Sequence, residues 1–489
     1  MGVSRREFVR SAAASAAFVG FGRYLHAQGR VGRAGGPPTA PTPIPVQPYL
    51  SEVDVYGPLI ADPHRILDLP KGFSYKILSR TGDAMTDGLR VPGAPDGMAT
   101  FAGPNGRVIL VRNHEMGSAD SFQGAFGIEY ELLAKVDSKR LYDKGNGRPH
   151  LGGTTTLVYD PATGLVERQF LSLGGTLRNC AGGATPWNSW ISCEETVDLA
   201  GEDNEKDHGY AFEVPVTSEP KLTDAIPLKA MGRFYHEAVA VEPRTSIVYQ
   251  TEDRVDGLIY RFIPSTPQRL ANGGRLQVLS VRDRKTLDTR NFGETGAPRL
   301  PVGESLAVRW LDIDDVDSQR DDLRTRGAAL GAAVFARGEG MWHGTNEVYF
   351  ACTNGGLSMR GQVFKYTPSP AEGTSGEETK PGHLQLYLEP DNATIMESVD
   401  NLAVAPWGDL ILCEDNAAPA PTVVRQNPLN YLRGVTPAGK VYTFARNRYA
   451  GVSEFAGACF APNHPTMFVN IQVPGLTLAI TGPWKDTRG

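Results

Sequence analysis

Residues 400–415 read DNLAVAPWGDLILCED: an acidic anchor, a short strand of small residues, a Pro/Gly turn, an apolar strand and an acidic exit. The same plan occurs at DGMATFAGPNGRVILVRNHE (96–115), CAGGATPWNSWISCEE (180–195), EAVAVEPRTSIVYQTED (237–253), EGMWHGTNEVYFACTN (339–354) and EFAGACFAPNHPTMFVNIQ (454–472). Spacing from anchor to anchor is 84, 57, 102, 61 and 54 residues, about one four-stranded propeller blade with insertions. Further strands are expected at residues 154–159, 209–214, 258–263, 362–366 and 440–444. Helical periodicity is scarce, with residues 317–333 the best stretch. The reading is all-β: a six-bladed β-propeller with loop and short helical insertions, preceded by a signal peptide and a Pro/Gly linker. A pair of β-sandwiches with look-alike hairpins is the alternative.

Composition agrees. Glycine (55) and proline (36) make up almost one residue in five of the 489, too turn-rich for a helical bundle and without the period of collagen. A formal charge of −6 argues against nucleic-acid binding, and no apolar run is long enough to span a bilayer. Residues 1–27 have a charged start, a short mild apolar stretch and a small residue at Ala27, which reads as a secretory signal. Ser4-Arg5-Arg6-Glu7-Phe8 within it matches the twin-arginine export pattern, so the twin-arginine translocase is an expected partner and the periplasm or exterior the expected location. Residues 28–48 form a Pro/Gly/Ala linker, and residues 49–489 are expected to be one β-propeller catalytic domain. The five cysteines include no C-x-x-C, so a disulfide framework is not expected; Cys193, Cys352 and Cys413 lie in apolar strands. Cys180 stands apart, beside glycines in Arg178-Asn179-Cys180-Ala181-Gly182-Gly183.

A propeller points the start of each inner strand at its central channel. That would bring together Asp96, Cys180, Glu237, Glu339, Asp400 and Glu454, with a second tier of Glu194 and Glu195, Glu252 and Asp253, Glu414 and Asp415, and Asn113-His114-Glu115 in the first copy. So many carboxylates in one tunnel repel each other unless cations separate them. Oxygen ligands in this number favour Ca²⁺, while one thiolate among them points to a more Lewis-acidic ion such as iron or zinc. Arg337, two residues before Glu339, is a candidate for gripping a phosphate or carboxylate bidentately.

Taken together, the chain resembles the PhoX-type alkaline phosphatases. The matching stretches are the signal, Asp96-Gly97-Met98, Asn113-His114-Glu115, Arg178 to Gly183 with Thr185-Pro186-Trp187, Cys193-Glu194-Glu195 and His236-Glu237. Thr251-Glu252-Asp253, Arg337-Gly338-Glu339, Asp400-Asn401-Leu402 and Phe468-Val469-Asn470-Ile471-Gln472 complete them. The resemblance implies an exported phosphomonoesterase, releasing inorganic phosphate from small-molecule phosphate esters at a propeller centre of ferric (Fe³⁺) and calcium (Ca²⁺) ions. By residue match, Cys180 is similar to the family's iron-bound cysteine, Glu237 and Glu339 to its iron or bridging carboxylates, and Arg337 to its phosphate-contacting arginine. Calcium ligands would be Asn113, Glu115, Glu194, Glu195, Glu252, Asp253, Asp400 and Glu414. A monomer without stable membrane insertion is expected. Two other readings remain open on the residues alone: a calcium-dependent propeller hydrolase of lactonase type, and a non-catalytic calcium-binding propeller.

Overall fold

The computed structural model describes residues 49–487 except 118–119, 121–122, 294–298, 416–428 and 450–452. The expected signal (1–27) and linker (28–48) lie outside them. The strands follow the repeats. Six of them, Pro95–Ala102, Asn179–Ala184, His236–Val241, Gly338–His343, Val399–Val404 and Phe455–Phe460, pack each on the next and the last on the first. Each pairs antiparallel with the apolar strand that follows it in sequence. The result is an all-β, propeller-like arrangement around a central axis. Six separate sheets were expected, whereas the strands form five. Ser305–Asp312, from the long insertion, pairs with Gly274–Val281 on one side and His383–Leu388 on the other, joining the third and fourth repeats into nine strands. Ser74–Arg80, which precedes the first repeat, completes the sheet of the last repeat by pairing with Leu476–Thr481, while Leu59–Ile60 and Leu67–Pro70 before it extend the sheet of the fifth.

Among the described residues the α-helix of the predicted 317–333 stretch is shorter, Leu323–Leu330, and ends on Gly331 in the left-handed conformation. The strand cysteines Cys193, Cys352 and Cys413 are buried where expected. Between the joined third and fourth repeats Phe335, Phe350 and Phe364 pack with ring centroids 5.2–5.5 Å apart.

The inner strands explain their own composition. Their axial ends approach so closely that a Cβ on Gly97 would lie 2.6 Å from Ala181 Cα, and one on Gly340 would lie 2.7 Å from Asn401 Cα. In all six hairpins the pairing register shifts just after the strand begins, a β-bulge that leaves two inner-strand residues out of the ladder. In the first five these two are the anchor and a small or amide residue after it. Upstream, the backbone enters through left-handed residues in four repeats: Ala94, Arg178, Arg337 and Ser398 have φ of 43°, 47°, 53° and 50°. Side chains rarely adopt that region, and its strain is tolerated where the surroundings impose it. Bulge and kink together swing the anchor side chain out of the pleat and toward the axis.

Candidate metal centre and active site

The sixth repeat departs from the expected alignment. In the first five, the N–H of the exit residue donates to the carbonyl two residues before the anchor: Glu115 to Ala94, Glu195 to Arg178, Asp253 to Tyr235, Thr353 to Arg337 and Asp415 to Ser398. The sixth bond of this kind runs from Gln472 to Glu454. Glu454 therefore occupies the position of Arg178 and Arg337, and the anchor of that repeat is Ala456. Pro462 follows Ala456 by six residues, the spacing of Pro186 from Cys180, Pro243 from Glu237 and Pro406 from Asp400.

At the axis, donor atoms of Cys180, Glu195 and Glu237 lie within 4.8 Å of one another, as do those of Asp96, Glu115 and Cys180, and those of Glu237, Glu339 and Asp400. The three groups share members and form one continuous centre. Glu237 is fully buried, and neither of its carboxyl oxygens meets a hydrogen-bond donor among the described residues. Burial pushes its carboxyl well above the usual range, and Glu339, Asp400 and Glu195 push it further. Glu339 and Asp96 are raised the same way, and burial followed by Asp415 carries Asp400 up to about 7. Cys180 is likewise raised by burial and then by Asp96 and Glu237. Where burial and mutual repulsion disfavour the charged form of this many acids together, a cation is the group that relieves both. The residues fit the metal group the sequence implied.

Two arginines stand at this centre from equivalent positions. Arg337 donates from Nε and Nη2 to the two oxygens of Asp253, both at 2.7 Å, and Nη2 lies 2.7 Å from Glu339 Oε1. Burial alone would raise Asp253, but Arg337 outweighs it and holds that carboxyl below its ordinary value. The fork expected to grip a ligand bidentately is thus closed on Asp253. Arg178 lies 2.7 Å from Glu115 Oε1 and also pairs with Glu195. Their side chains are 22% and 33% exposed, against 10% or less for Glu195, Asp253 and Glu339, so the arginines mark the open end. On the other side of the bulges Met98, Trp190, Met341, Trp342 and Leu402 fill the axis to a gap of about 10 Å³.

Four residues expected as calcium ligands face elsewhere. Strand side chains alternate, so of each adjacent acidic pair only one reaches the axis. Glu194 accepts from the N–H groups of Leu177, Gly209 and Tyr210 and lies 2.7 Å from His208 Nδ1. Glu252 accepts from Leu258 N–H and Tyr260 O–H. Glu414 accepts from Arg433 Nε and from the N–H groups of Glu397 and Tyr431. Asn113 is a brace: its amide donates to the Ala181 carbonyl at 2.6 Å and accepts from Trp190 and Ser192. Sequence reasoning missed Gln472, which donates to both Asp96 and Glu115, although its place at a repeat exit was a usable signal.

Comparison with known proteins adds a second line. A family model, alkaline phosphatase PhoX, matches residues 55–475. The structure of Pseudomonas fluorescens PhoX in complex with vanadate, a transition-state analogue, superposes with a TM-score of 0.61 at 16% identity, covering 89% of this chain and 97% of that one. A gluconolactonase of Xanthomonas campestris covers 88% of this chain and 99% of its own at 10% identity, with a TM-score of 0.39. Curated protein sequences give no match.

Proposed function

The chain belongs to the PhoX alkaline phosphatase family and is a phosphoric monoester hydrolase, and from that premise we propose how its own residues carry the activity. The ring of axial side chains, Asp96, Glu115, Cys180, Glu195, Glu237, Asp253, Glu339 and Asp400, would hold ferric and calcium ions. Glu237 is the observation that carries this reading: a buried carboxylate with no donor needs a cation. Cys180 would bind the softer or more Lewis-acidic ion and the carboxylates the calcium. When bound, such ions supply electrostatic stabilisation of the charge that builds on phosphate in the in-line transition state.

The protein's part is positioning. Asp253 fixes the Arg337 guanidinium through two hydrogen bonds, leaving Nη1 as the group to meet a phosphate oxygen. Arg178 balances Glu115 and Glu195 at the same opening. The packed residues beyond the bulges close the far end, so phosphate esters enter and leave on the arginine side.

The closed ring of inner strands supports six blades, with the nine-stranded sheet counted as two blades joined through Ser305–Asp312. Residues 49–489 would act as a single catalytic domain and as a monomer. PhoX-family phosphatases are exported, and no helix of the described residues is long and apolar enough to cross a membrane. Residues 1–27 would direct export through the twin-arginine translocase, so replacing Arg5 and Arg6 by lysine strands the precursor in the cytoplasm.

The test is hydrolysis of p-nitrophenyl phosphate with iron and calcium measured on the same preparation by mass spectrometry. Turnover that rises and falls with both metals supports the reading. Turnover by metal-free protein overturns it.

A further inference from the structure

A second cluster lies away from the axis. Asp143, His150 and His208 come from two loop segments, and one donor atom of each lies within 4.8 Å of the other two. Asp143 and His150 flank a short turn before the strand Gly152–Asp160, and His208 precedes Ala211–Pro215 in the neighbouring sheet. Exposure is 0% for Asp143 and His208 and 4% for His150.

The donor atoms of the three converge on one point. His208 Nδ1 is 2.7 Å from Glu194 Oε1 and its Nε2 is 3.2 Å from Asp143 Oδ2. The two carboxylates outweigh burial and raise the ring's pKa to about 9, so both nitrogens carry protons and an ion at Nε2 must displace one. His150 Nε2 is aimed at the same oxygen from 4.0 Å and has no hydrogen-bond partner. Asp143 is held in place by N–H donors from Gly145, Glu205 and Lys206. A tetrahedral ion at roughly 2.0–2.2 Å from each ligand separates ligand atoms by about 3.3–3.6 Å, against 3.2 Å from Asp143 Oδ2 to His208 Nε2 and 4.0 Å to His150 Nε2. Two imidazoles and one carboxylate are ligands that suit zinc, and a carboxylate on the far nitrogen of a ligating histidine is the support such histidines ordinarily have.

We propose that Asp143, His150 and His208 bind one divalent first-row ion of the zinc type, separate from the catalytic centre, with Glu194 orienting His208. Binding exchanges the Nε2 proton of His208 for the ion, and the site pins the loops of two adjacent sheets together. Glu194 then has a purpose that explains why it leaves the axis to Glu195.

The experiment uses the full chain, stripped with chelator and given Zn²⁺ alone. The Cys180→Ser variant serves as the background, so that the axial thiolate cannot contribute. About one zinc per chain is expected in Cys180→Ser and its loss on adding His150→Gln. X-ray absorption at the zinc edge of Cys180→Ser should show imidazole neighbours, which the axial carboxylates cannot supply, a readout that does not depend on how well His150→Gln folds. Zinc should also raise the melting temperature of Cys180→Ser by more than that of the double variant. Equal zinc uptake with and without His150, zinc without imidazole neighbours in Cys180→Ser, or no uptake by Cys180→Ser would overturn the proposal. None of these outcomes bears on the phosphatase reading.

Discussion

Glu194 and Glu195 are neighbours in sequence and opposites in environment, and the pairs Glu252/Asp253 and Glu414/Asp415 repeat the contrast. The first member of each turns into its sheet, where backbone N–H groups, a phenol, a histidine or an arginine receive it. The second occupies the exit position beside the axis, where Glu195 and Asp253 meet arginines and further acids. Chemistry is the same; the pleat decides. An acid whose donors are built into the backbone is a structural group, and an acid surrounded by other acids is a site for cations.

The contrast can be broken by experiment, beginning with the largest effect. Chelation by EGTA should abolish turnover and lower the melting temperature, because bound calcium stabilises by on the order of 3 kcal/mol at a hundredfold excess over its Kd. An unmoved melting temperature would remove calcium from the axis. Next is Cys180→Ser, which puts a neutral hydroxyl where a thiolate would bind. Turnover should fall on the order of a hundredfold, and iron should be lost. Arg337→Ala removes a charge-assisted contact worth about 2 kcal/mol, so kcat/KM should fall about thirtyfold. Arg337→Lys should recover only part of it, since lysine cannot make the fork on Asp253. The smallest effect belongs to Cys413→Ser, in a fully buried apolar strand: about 1 kcal/mol of stability is lost, and metal content and turnover stay as in wild type.

Much of this was legible in the chain. Recurrence of anchor, turn and exit located the strands, and the anchors of the first five repeats reach the axis together. Cys180 was separable from the other cysteines because it sits among glycines where they sit among apolar residues. What the sequence hid has physical reasons. Recurrence cannot tell Glu194 from Glu195, since both recur; only the register of the hairpin does. The sixth repeat has alanine, Ala456, at the anchor, so an alignment on acids settles on Glu454 two residues earlier, in the arginine position, from which it still feels Asp415 and Asp96. Asn113 has the polarity of a ligand, yet its amide is spent joining the second strand of the first hairpin to the inner strand of the next repeat. Arg178 shares with Arg337 the offset of two residues from an anchor, a signal present in the sequence. Asp143, His150 and His208 carried no such signal, because loops from two sheets bring them together across up to 65 residues.

The central claim is that the axial acids exist to hold cations and the outward acids to hold the sheets. Metal content of Glu237→Gln, measured beside Glu414→Gln, tests it most directly. Glu237→Gln removes a buried charge that has no donor. It should lose metal and turnover while the metal-free protein becomes more stable than metal-free wild type. Glu414→Gln leaves Arg433 buried without its partner. It should cost about 3 kcal/mol of stability and keep the full metal complement. Full metal content in Glu237→Gln, or loss of metal in a folded Glu414→Gln, would contradict the account.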